Sequence, residues 1–141
     1  MIATISTVFL GASTALCLLY CYMMVFNIEG MVKGYGTSYN FDSEVGRFGK
    51  RMAQYCGASM FVFAFIFGHM IPKPDKHSAA VRTAVMMYAL FFAVASYSVF
   101  LDPMSSEKAK SAGMKNVYLM GFFLAFGVYT LTTLPAKEHT N

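Results

Sequence analysis

Four long stretches of this chain contain no Asp, Glu, Lys or Arg: residues 1–28, 52–71, 83–101 and 116–136. A helix needs about 20 predominantly apolar residues to cross the hydrocarbon core of a bilayer, and each run is of about that length. Together the runs take more than half of the 141 residues and leave only short connections. Charged residues make up 13 % of the chain, where a soluble domain carries about 25 %. The pattern excludes a soluble globular domain, a disordered chain and a disulfide scaffold, and leaves no room for a second domain. A transmembrane β-barrel needs short strands of alternating hydrophobicity, whereas residues 61–67 (FVFAFIF) are apolar at every position. Helices satisfy their own backbone hydrogen bonds in lipid, so such a run suits them. The expected fold is therefore all-α. It is one integral membrane domain over residues 1–141, with transmembrane helices at about 2–28, 52–71, 83–101 and 116–135. Short connections favour an up-down-up-down bundle with a longer first connection.

The N-terminus lacks the basic n-region of a signal peptide, and its apolar run is too long for one, so it reads as an uncleaved signal anchor. Orientation follows the Lys and Arg residues. The first and third connections carry seven of them (Lys33, Arg47, Lys50, Arg51, Lys108, Lys110, Lys115), against four elsewhere (Lys73, Lys76, Arg82, Lys137). Both termini are then expected on the non-cytoplasmic side, in an endomembrane or an energy-converting organelle membrane that the sequence leaves open. Cys17, Cys21 and Cys56 all fall within expected spans, an odd count in lipid that argues against a disulfide framework. The net charge of +4 sits in residues flanking the spans. That fits headgroup attraction, and no basic groove points to nucleic acid.

Small residues recur at four-residue spacing: Ala3, Thr7, Gly11 and Ala15; Gly49, Ala53 and Gly57; Gly121 and Ala125. Such stripes lie on one helical face and let two backbones approach, so Gly11, Ala15, Ala53, Gly57, Gly121 and Ala125 are the expected packing positions. In the first connection, Gly30 to Asn40 reads as irregular chain, followed by a helix starting near Glu44 capped by Asp42 or Ser43. Pro72 and Pro74 stop the second long helix, and Asp102–Pro103 reads as the cap of a short surface helix ending near Gly113. Tyr20, Tyr22, Tyr88, Tyr97, Tyr118 and Tyr129 lie within the spans as interfacial anchors or packing groups.

His69 is the one histidine inside an expected span. An ionisable residue there is a functional candidate, as a haem or chlorophyll ligand or a proton carrier, although it also lies close enough to Pro72 to reach interfacial water. Glu29 ends the first helix on the side where Arg47 and Arg51 begin the second, so a Glu29–Arg47 or Glu29–Arg51 pair, or a lipid headgroup held by them, is the second candidate. Cys17 and Cys21 share a face but lack the further ligands that a metal needs. Gly34–Tyr35–Gly36 lacks the pore helix of a potassium filter. No catalytic Ser/His/Asp set, di-iron box, P-loop or intramembrane carboxylate pair is present, and the sequence names no cofactor. The expected function is a non-catalytic accessory, assembly or scaffold subunit of a larger membrane complex. It would touch the lipid bilayer and other membrane subunits or copies of itself, and would not bind nucleic acid. The alternatives are a membrane enzyme acting on a lipophilic substrate through His69, Glu29, Arg51 and Tyr55, and a small transporter or channel component.

Overall fold

The computed structural model describes residues 4–34, 39–102 and 107–134, without the side chain of Lys108. The described residues are almost wholly helical and contain no strand. Helix α1 spans Ile5–Val25, α2 Ile28–Gly34, α3 Glu44–Met70, α4 His77–Ser96 and α5 Glu107–Thr133. A 3-10 turn (Pro74–Lys76) leads into α4, and a π-helical turn (Tyr97–Leu101) ends it. Four helices are long and apolar enough to cross a membrane: α1, α3, α4 with its flanking turns, and α5. At 1.5 Å per residue, the 21 residues of α1 span about 30 Å, the thickness of the hydrocarbon core.

Local chemistry sets the ends. Ser43 caps α3 by accepting from Gly46 N at 3.0 Å, with Glu44 in the first turn against the positive end of the helix. Thr4 caps α1 by accepting from Thr7 N at 3.3 Å. Three boundaries differ from the sequence reading. The stretch Gly30 to Asn40, expected to be irregular, begins inside the short helix α2, while residues 35–38 lie outside the described residues. Asn27 separates the two helices: its carbonyl accepts from Met31 N at 3.0 Å, and its side-chain amide lies over Gly30, where a Cβ would collide with it. Helix α4 starts six residues earlier than expected, at His77 rather than residue 83, because Arg82 points outward and so costs the helix nothing. Finally, α5 runs unbroken through Gly113, so no separate surface helix precedes it. The expected Asp102–Pro103 cap falls partly outside the described residues; Asp102 itself follows the π-helical turn, its N–H bonded to Tyr97 O.

Helix α1 is central. It makes the broadest contact with α3 and also touches α4 and α5, which pack closely on one another. By contrast, α3 meets α4 only slightly. The core is built around Phe9, whose ring meets Tyr88 and Phe126 edge-on at centroid distances of 6.2 and 5.3 Å. Phe67, Leu10, Val81 and Ala84 are completely buried beside it. Two glycines make this packing possible. A Cβ at Gly127 would lie 2.6 Å from Val85 Cγ2 and 2.9 Å from Phe9 Cζ. At Gly57 it would lie 2.8 Å from both Met24 Cβ and Val25 Cγ2.

The small-residue stripes therefore divide. Gly57 is buried at a close approach, Ala53 is half-buried near it, and Gly121 rests against the Phe92 ring. Gly11 meets nothing within 4 Å, and Ala15 and Ala125 face outward; Ala3 lies outside the described residues. The inward face of α1 is instead Ser6, Phe9, Leu10, Ser13 and Cys17. Small polar side chains on this face let neighbouring helices come close, and Ser6 finds its partner on α4 in His77.

Gly57→Leu and Gly127→Leu are each expected to destabilise the protein by about 1–3 kcal/mol through overpacking, and Gly11→Leu to change stability by less than about 0.5 kcal/mol. Reversible unfolding of the purified variants in mixed micelles measures all three.

Candidate functional site

Two places in the fold gather polar side chains, one at each end of the helices. The first is centred on His77, the first residue of α4, which is only 3 % exposed. Its Nε2 lies 3.0 Å from the Ile71 carbonyl at the end of α3, and its Nδ1 lies 2.8 Å from Ser6 Oγ on α1. A carbonyl only accepts, so Nε2 carries the proton, and in the neutral ring Nδ1 accepts from Ser6. The chain of hydroxyls extends further. Thr4 Oγ1 is 3.0 Å from Ser6 Oγ and 2.8 Å from Thr7 Oγ1. With Ser6 donating to His77, the consistent order has Thr7 donating to Thr4, Thr4 to Ser6, Ser6 to His77 and His77 to Ile71. The four bonds run head to tail, each polarising the next, and tie the beginning of α1, the end of α3 and the beginning of α4 together.

The second is a cavity of about 480 Å³ among α1, α3, α4 and α5. It arises where α3 stands apart from α4. Tyr20, Cys56, Ser59, Ser98 and Asn116 contribute its polar groups, and Met24, Met60, Phe91, Val94 and Met120 much of its apolar wall. Tyr20 donates to Asn116 Oδ1 at 3.2 Å, joining α1 to α5. A smaller cavity of about 310 Å³, lined by Leu16, Met23, Gly34 and Leu119 among others, lies against the same two residues. The Tyr20–Asn116 pair thus stands between the two. The polar groups of the larger cavity share one tier. Gly57 lies beside Cys21 and Met24, Asn116 beside Tyr20, and Gly113 beside Val99. Phe91 and Met120 lie farther along their helices, toward the middle of the molecule.

The residues singled out by sequence fall elsewhere. His69 is on the outer surface of α3, stacked on Phe65 (centroids 5.8 Å apart, planes 3° from parallel), with its Nε2 accepting from Lys73 Nζ at 2.6 Å. Glu29 meets α3 through Lys50 at 3.8 Å rather than through Arg47 or Arg51. Arg47 donates to the Asp42 carbonyl, and Arg51 points outward. Lys50 also lies 5.8 Å above the Phe41 ring. An exposed pair of this kind contributes at most about 1 kcal/mol. Tyr55 faces outward. His69 and Arg51 are 18 residues apart on one helix, about 27 Å at 1.5 Å per residue, so His69, Glu29, Arg51 and Tyr55 do not form one site. Among the described residues no three His, Cys, Asp or Glu side chains gather in a group that could hold a metal ion, and the three cysteines are free thiols. Pattern reading missed His77, although one signal was available: it continues the stripe Ala80, Val81, Ala84, Met87 and Tyr88, all buried on the inner face of α4.

No family model matches this chain, and it matches no curated protein and no solved structure.

Two buried polar residues have opposite consequences. His77→Ala leaves Ser6 and the Ile71 carbonyl without their partner and is expected to cost about 1–3 kcal/mol. The Tyr88 hydroxyl, on a residue 1 % exposed, has no hydrogen-bond partner of normal geometry, so Tyr88→Phe is expected to leave stability unchanged or raise it by up to about 1 kcal/mol. Unfolding midpoints of the two variants, with outward-facing His69→Ala as the neutral reference, check both signs.

Proposed function

We propose that the chain is an integral membrane protein whose four long helices cross the bilayer in an up-down-up-down bundle, and that it serves as a non-catalytic accessory or scaffold subunit of a larger membrane complex. The contacts of Gly57 with Cys21 and Met24, and of Gly68 with Thr14, support opposite senses for α1 and α3. Gly113 beside Val99 and Gly127 beside Val85 support the same for α4 and α5. The excess of Lys and Arg on the first and third connections supports termini on the non-cytoplasmic side.

The observation that carries the subunit reading is the outer face of α1. Gly11 stands in open space a third of the way along the helix, Ala15 faces outward one turn later at its midpoint, and outward-facing Val8, Leu18 and Leu19 flank them. Small residues on an apolar surface let a second helix backbone come close, which is how helices associate where no hydrophobic effect separates them from lipid. The inward polar groups support the same reading. His77, Ser6, Tyr20 and Asn116 join helices to one another, and Thr14 and Thr130 donate to carbonyls of their own helices.

On a native gel after extraction in mild detergent, the protein is expected to migrate in a species several times its own 15.6 kDa. Replacing Gly11 and Ala15 together by Leu should release it as a lone chain with unchanged helicity. Migration of the unaltered protein as a lone chain would overturn the reading.

A further inference from the structure

We propose that the larger cavity is a binding site for a membrane-borne alcohol, a molecule with one hydroxyl on a bulky hydrocarbon body, as in a sterol or a diacylglycerol. The shape of the site comes first. Its polar groups share one tier near the end of α1 and the end of α4, while Phe91 and Met120 form its deeper wall. An amphiphile with a small head and an apolar body fits that gradient in one orientation only. The volume of about 480 Å³ lies inside the range of about 300–1,000 Å³ found for small-molecule pockets. Entry is lateral. Cys56 and Ser59 on α3, Val94 on α4 and Ser98 in the π-helical turn that ends it line the cavity and also face outward, so the mouth lies between two helices that meet only slightly.

The two serines at the mouth then point to the head. Ser59 gives its hydrogen to the Tyr55 carbonyl at 3.1 Å, and Ser98 gives its own to the Val94 carbonyl at 2.8 Å. A hydroxyl has one donor and two acceptor lone pairs, so both serines present lone pairs and no hydrogen. A ligand that only accepts, such as a ketone, an ester or an ether, gains nothing from them. A ligand hydroxyl donates to either one and keeps its own oxygen open. The π-helical turn beginning at Tyr97 contributes to this placement, because Ser98 lies within it. π-Helical turns are frequent at functional sites.

The site uses none of the residues on the outer face of α1, so it stands or falls separately from the subunit reading. The test uses the isolated full chain in phosphatidylcholine nanodiscs, with tritiated cholesterol and tritiated dioleoylglycerol as alternative probes. Their non-donating counterparts, cholestenone and the methyl ether of dioleoylglycerol, serve as competitors. One of the two alcohols is expected to bind saturably at one per chain, which identifies the body the cavity accepts, and its counterpart should compete at least tenfold more weakly. Ser59→Ala combined with Ser98→Ala should weaken the alcohol about tenfold and leave its counterpart unchanged, which also shows that the variant is folded. Ala95→Phe, which places a ring in the cavity, should abolish binding of both. Absence of saturable binding by either alcohol, equal affinity for alcohol and counterpart, or an unaltered affinity in the double serine variant would each overturn the proposal.

Discussion

Hydrocarbon offers no partner to a polar group, so the polar side chains deep in a bilayer-crossing bundle are best placed against protein. Much of the arrangement of this chain follows from that constraint. The inward face of α1 carries Ser6, Ser13 and Cys17, while the outward face carries Val8, Leu18 and Leu19. Tyr20 reaches across to Asn116, and His77 joins three helix ends at once. The apolar core centred on Phe9 fills the space between these two ties. Gly57 and Gly127 let the backbones close far enough for it to do so.

The long helices were legible because their signal is the absence of charge over a length that physics sets. The cap of α3 was legible too: Ser43 before Glu44 is a local signal that needs no tertiary information. What the pattern left open was phase. On α1, two candidate faces differ by a single residue of register, Thr7–Gly11–Ala15 and Ser6–Ser13–Cys17, and both consist of small residues. Only the location of the neighbouring helices separates them. On α5 the same ambiguity holds between Gly121–Ala125 and the buried line Val117, Met120, Phe123, Gly127 and Thr130.

The sites were less legible than the helices, for a related reason. Glu29 pairs with Lys50 rather than with the expected Arg47 or Arg51. Adjacent positions on a helix point about 100° apart, and the break at Asn27 sets where Glu29 points. His77 lay beyond the charge-free run and read as part of a connection, although the run begins late only because outward-facing Arg82 interrupts it. A cavity depends on where helices fail to touch, and no local pattern in α3 or α4 encodes the gap between them.

The tie at His77 and the open cavity lie at opposite ends of α4. His77 and Ser98 are 21 residues apart, about 30 Å along a helix. A pair of rods fastened at one end and apart at the other behaves as a lever. A change of 5° in the angle between α3 and α4 displaces nothing at the fastened end and widens the far end by about 3 Å, given that helical rise. The width of the cavity mouth therefore follows the angle at which α3 and α4 diverge from the junction of Ile71 and His77.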